Sequence, residues 1–139
     1  MGNKYVIVLT ACINPGKMIH TSLTDVDIRR RQYKDALEFY LLQTDYPIVF
    51  VENSGTDISG DFRKFVDCGR LEFITFQGNE EFDRKKGKGY GEALILEYAL
   101  EHSLFVHQCD FLVKITGRLK FLYVFRISKQ PKITRNIQA

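Results

Sequence analysis

Apolar residues fall along this chain in two kinds of block: short continuous runs, and longer stretches at helical spacing. "KYVIVLTAC" carries an unbroken apolar run from Tyr5 to Leu9 that ends in small and polar residues. Strands covered on both faces read this way, because neither face meets water. Asn14-Pro15-Gly16 predicts a turn. Thr24 predicts a helix N-cap, with Asp25 and Asp27 placed to meet the free N–H groups of the first turn. Tyr33, Ala36, Leu37, Tyr40 and Leu41 follow at i, i+3, i+4, i+7 and i+8, one apolar face of a helix over 25–43.

The same reading continues downstream. Pro47 closes off that helix, Ile48–Val51 is a second buried strand, and Asn53-Ser54-Gly55 turns the chain. Phe62, Phe65 and Val66 predict a short helix that Gly69 can terminate. "LEFITF" (71–76) is a third strand, followed by a polar loop over 77–91. "EALILEYALEHS", from Glu92, is apolar nearly all round and predicts a helix covered on more than one side. "CDFLVKITGRLKF" (109–121) holds a fourth strand and "LKFLYVFRI" a fifth. No internal repeat, linker or low-complexity segment interrupts the pattern.

Alternating strands and helices imply an α/β fold: a three-layer, mostly parallel sheet with helices on both faces. A chain of 139 residues is expected to form one domain with a real core. We place that domain at 1–127 and a basic C-terminal tail at 128–139.

Such sheets bind ligands beyond the carboxyl ends of their strands, where strand order reverses. The candidate positions are therefore Thr10-Ala11-Cys12, Glu52-Asn53-Ser54, the loop 77–91 and Thr116-Gly117-Arg118. Along 110–116, Phe111, Val113 and Ile115 share one face; Leu112, Lys114 and Thr116 share the other. An unpaired buried ammonium is costly, so Lys114 must have a partner, whether an anionic ligand or a structural counter-ion, or snorkel to solvent. Arg118 offers a planar fork suited to phosphate, and also reads as a surface arginine. Gly117 permits a turn or a close approach. In "RKKGKGYGEA", Lys88 and Gly89 stand just ahead of a helix, where free N–H groups attract anions; Arg84 and Lys85 read equally as a solvated loop. Glu52, with Asn53 and Ser54, can accept from a base or ribose, or can cap a turn. His20, His102 and His107 have no ligand spacing, and no nucleophile–base arrangement is legible, so no catalytic residue is assigned.

Composition adjusts this picture only slightly. Hydrophobic content of 45% and charged content of 27% describe an ordinary globular chain. The net charge of +3 is unevenly spread: from Lys114 onward there are seven basic residues and no acidic one. That asymmetry suggests an anionic partner or a solvated tail. Clustered aromatics on a strongly basic face, the mark of a nucleic-acid binder, are not seen. Three cysteines without paired spacing favour reduced thiols and a cytoplasmic setting. Neither a signal peptide nor a transmembrane run is legible.

The ordered set "VENSG", "GKGYGEALILEYAL" and "FLVKITGRLKF" resembles the nucleotide-binding half of GT-A glycosyltransferases. The closest likeness is to bacterial enzymes of surface-polysaccharide assembly that carry a Lys-Ile-Thr-Gly-Arg stretch, and it covers 4–121. The resemblance implies a nucleotide-sugar donor and a glycan or lipid-linked acceptor. It implies donor contacts at Thr10, Ala11 and Cys12, at Glu52 and Asn53, at Lys88 and Gly89, and at Lys114, Gly117 and Arg118. The Asp-x-Asp metal motif of many such enzymes is missing near 114–120, so a divalent metal is not expected, and cations take over its role at the diphosphate. The acceptor-binding half is also missing, which implies a truncated or minimal donor-binding domain. A homo-oligomer or a partner chain is expected to complete the sheet. The implied location is cytoplasmic or peripheral to the inner face of the membrane. Two other readings stay open: a non-catalytic nucleotide-binding or assembly module, and a nucleic-acid binder.

Overall fold

The computed structural model describes residues 3–15, 23–78 and 87–118; for 23, 24 and 87–89 it describes the backbone alone. The elements are β1 (Tyr5–Ala11), α1 (Leu23–Gln43), β2 (Ile48–Glu52), a 3₁₀ turn (Ser59–Phe62), α2 (Arg63–Asp67), β3 (Leu71–Thr75), α3 (Gly87–His102), α4 (Leu104–His107) and β4 (Phe111–Thr116). The four strands form one sheet in the order β3-β2-β1-β4, and every pairing is parallel. This is the three-layer, Rossmann-like α/β arrangement that the alternation predicts.

The faces of the sheet separate two cores. Ile7 and Leu9 of β1, Ile48 and Phe50 of β2, and Val113 and Ile115 of β4 pack against Tyr33, Ala36, Leu37, Tyr40 and Leu41 of α1. On the opposite face Val6, Val8, Val49 and Val51 pack against Ile95 and Ala99 of α3. Each large side chain so buried contributes about 1.5–3 kcal/mol by leaving water. The strand run through Tyr5–Ala11 is continuous because its alternate residues serve two cores at once.

Topology fixes where the site can lie. Strand addition runs one way from β1 through β2 to β3, then returns to the far side of β1 for β4. Parallel crossovers keep one hand, so the reversal moves the connecting helix to the other face. Accordingly α1 and α2 cover one face, and α3 and α4 the other. The switch point lies between β1 and β4, where Thr10 stands opposite Thr116.

Several local expectations need correction. The helix α1 starts at Leu23, so Thr24 lies inside the first turn instead of capping it. The helix α3 starts at Gly87, five residues before Glu92, so Lys88 and Gly89 belong to its first turn and not to a loop. Glycine costs about 1 kcal/mol per residue in a helix relative to alanine; docking of Ile95 and Ala99 on the sheet outweighs that local preference. The third strand stops at Thr75, where Phe76 and Gly78 turn back to bond Glu52 and Asn53. Ser103 separates α4 from α3, its side chain accepting from Val106 N at 3.0 Å; α4 was not anticipated. The proposed fifth strand, the basic tail, Gly16 and loop residues 79–86 lie outside the described residues.

The end of α2 matches its expectation. Gly69 has φ +84°, Gly69 N donates to Val66 O at 3.1 Å and Arg70 N to Phe65 O at 3.0 Å, the paired bonds of a Schellman motif. A Cβ at Gly69 would meet no atom within 4 Å. Gly69→Ala therefore isolates backbone strain, and is expected to lower stability by about 1–2 kcal/mol. Urea denaturation with an unchanged midpoint would show that the left-handed residue does not end this helix.

Candidate functional site

The carboxyl end of β1 is held by a buried carboxylate on β2. Glu52 is fully buried. Its Oε2 accepts from Ile13 N at 2.8 Å and from Ser54 Oγ; its Oε1 accepts from Ser54 N at 2.9 Å and Thr56 N at 2.8 Å. A carboxylate has room for about four such donors, so this one is fully engaged. Glu52 thereby ties the loop after β1 to the loop after β2 and has no lone pair left for a base or ribose. Of the two sequence readings, the structure shows the turn cap. Asn53 beside it differs: its Oδ1 is buried with no hydrogen-bond partner among the described residues, while its backbone bonds Ala11 O and receives Gly78 N.

The α1 side of the switch point is built around Tyr33. Its hydroxyl accepts from Cys12 N at 3.0 Å. Burial raises the phenol's pKa, while the Cys12 hydrogen bond and the charges of Arg29 and Arg118 pull the other way. Two guanidiniums lie over this ring, Arg29 at 5.9 Å and Arg118 at 5.8 Å from its centroid, within cation–π range. Arg29 Nε donates to Cys12 O at 3.1 Å and Ile13 O at 3.2 Å, and its Nη2 also donates to Cys12 O. Arg118 Nη1 donates to Gln32 Oε1 at 3.1 Å. All of these acceptors are neutral. Among the described residues neither guanidinium has a carboxylate within ion-pair distance.

Gly117 makes that approach possible. Its N–H donates to Thr10 O at 2.7 Å. A Cβ there would lie 2.6 Å from Thr10 O and 3.1 Å from the Tyr33 ring. Glycine is required by contact with backbone, which cannot swing aside as a flexible side chain can.

The α3 side is different. Lys114 is 3% exposed and ion-paired with Glu92 of α3. Glu92 Oε2 also accepts from Thr10 Oγ1 at 3.0 Å. Lys114 is thus a paired strand residue, and it and Arg118 go to opposite faces of the sheet instead of converging on one anion. The structure brings together Thr10, Ala11, Cys12, Gly117 and Arg118 at the switch point, with Glu52 and Asn53 at the adjoining β2 exit. Lys88 and Gly89 are placed by backbone alone, in the first turn of α3.

Sequence reading missed Arg29 and Glu92. Each carried a signal. Arg29 stands four residues before Tyr33 on α1, and Glu92 stands three, four and seven residues before Ile95, Leu96 and Ala99 on α3. Those spacings put each polar side chain on the core-facing stripe of its helix. Among the described residues no group of three His, Cys, Asp or Glu side chains could hold a metal ion, and no helix is long and apolar enough to cross a membrane.

Two substitutions test this construction. Gly117→Ala is expected to destabilise the fold by about 1–3 kcal/mol, as overpacking does, and thermal melting indistinguishable from wild type would refute the close approach. Glu52→Gln keeps the side-chain volume but turns an acceptor into a donor facing N–H groups. It is expected to cost at least about 2 kcal/mol, read by guanidinium denaturation; no loss would show that the carboxylate does not hold the two loops.

Comparison of the chain with protein-family models, with curated proteins and with solved structures gives no match, so its functional reading rests on the switch-point geometry.

Proposed function

We infer that this chain binds a nucleotide-sugar donor at the β1–β4 switch point and serves glycosyl transfer in surface-polysaccharide or lipopolysaccharide assembly, at the cytoplasmic side of the membrane. One observation carries the reading: Arg29 and Arg118 share one tyrosine at the strand exits, and their partners among the described residues are neutral. Two cations without a carboxylate partner among the described residues, Arg29 half-buried and Arg118 exposed, attract an anion, and guanidinium geometry matches phosphate oxygens two at a time. The position suits it, since open α/β sheets bind ligands at this reversal. A diphosphate set between the arginines would have its charge neutralised as it leaves the sugar, work done elsewhere by a metal. Asn53 Oδ1, a buried acceptor without a partner among the described residues, suits an N–H or O–H donor from the base or ribose. A polarity unmet inside the protein is costly unless a ligand meets it.

Calorimetric titration with nucleoside diphosphates tests the reading. Arg118→Ala is expected to weaken a nucleoside diphosphate by about 1.5–3 kcal/mol, the scale of a hydrogen bond to a charged group, and to leave the free nucleoside almost unaffected. Arg118→Lys is expected to recover only part of the loss, because a point charge lacks the fork. EDTA is expected to leave affinity unchanged. Binding that EDTA abolishes and manganese restores, with Arg118→Ala silent, would overturn it.

A further inference from the structure

The phosphate reading gives no task to the polar wall on the α3 side. Thr10, Lys114 and Thr116 stand on the β1 and β4 residues that face α3, and Glu92 reaches them from that helix. Lys114 Nζ is bonded to Glu92 and lies 3.5 Å from Thr116 Oγ1. The two partners differ in exposure: the Lys114 side chain keeps 4% and that of Glu92 31%. The ammonium is sealed inside and neutralised, while the carboxylate meets solvent. Its Oε2 is occupied by Thr10 and Lys114, and its Oε1 has no hydrogen-bond partner among the described residues.

Electrostatics decides what such a wall accepts. The pair is neutral as a whole and exerts little pull on a phosphate. Its outward end is a carboxylate oxygen, which repels one. A fixed carboxylate beside threonine hydroxyls instead accepts from neutral O–H groups, and a hydrogen bond to an ionised acceptor is about twice as strong as a neutral one. We propose that Glu92 and Thr116 bind hydroxyl groups of the hexose carried by a nucleoside diphosphate. Lys114 is a positioning residue that holds Glu92 in place, and the arginine wall takes the diphosphate. The proposal rests on the donor-binding reading above and names the half of the ligand that this wall selects.

Titration of wild type, Glu92→Gln and Glu92→Gln/Lys114→Met with UDP and GDP, and with UDP- and GDP-linked hexoses, tests it. The double variant removes both charges together, so it avoids the unpaired buried ammonium that can unfold the single one. Wild type is expected to bind a hexose-linked nucleotide more tightly than the matching diphosphate. Both variants are expected to lose that increment, roughly tenfold, and to keep diphosphate affinity. Equal weakening of both ligand types, or no weakening of either, would overturn the hexose role while leaving the donor-binding reading standing. Wild type that binds none of these probes would overturn both.

Discussion

The right-handed crossover governs everything else in this molecule. Once strand addition reverses at β1, the chain cannot keep its hand and keep its helices on one face. So α1 and α3 end on opposite faces. That reversal leaves the exits of β1 and β4 flanked by two different helices, which can carry different chemistry.

The walls do differ. On the α1 side two guanidiniums lie over one buried phenol and spend hydrogen bonds on neutral oxygens, so their charge remains available. On the α3 side the buried ammonium is neutralised by a carboxylate that itself reaches solvent. Removing the carboxylate alone is costly, because it strands the buried ammonium. One wall therefore attracts anions and the other does not. The ligand proposed above, charged at one end and hydroxylated at the other, would suit that division.

Holding the walls in register is the work of buried polar bonds. Glu52 gathers Ile13, Ser54 and Thr56, and Gly117 N meets Thr10 O directly. Nearly every buried side-chain polar atom in the described residues is satisfied, so the exception, Asn53 Oδ1, stands out. Unmet buried acceptors are uncommon in folded proteins and call for an explanation; the ligand proposed above would provide one.

Much of the fold was legible from residue pattern alone. Short continuous apolar runs bounded by turn residues read as strands covered on both faces, so Tyr5–Leu9 and Ile48–Val51 already point to helices on both sides of the sheet. Gly69 at a helix end and the alternation through Phe111–Thr116 were equally plain, because each depends on neighbours in sequence. The exits at Thr10–Cys12, Glu52–Asn53 and Thr116–Arg118 followed from the sheet class. What the residues could not settle was which partner each polar group meets. Glu52 as ligand or turn cap, and Lys114 as phosphate contact or ion pair, depend on atoms 39 and 22 residues away along the chain. Arg29 joins Arg118 only because α1 lies across the exit of β4. Pattern reports which face a side chain takes; charge pairing is decided across the sheet, by contacts between segments that local sequence does not connect.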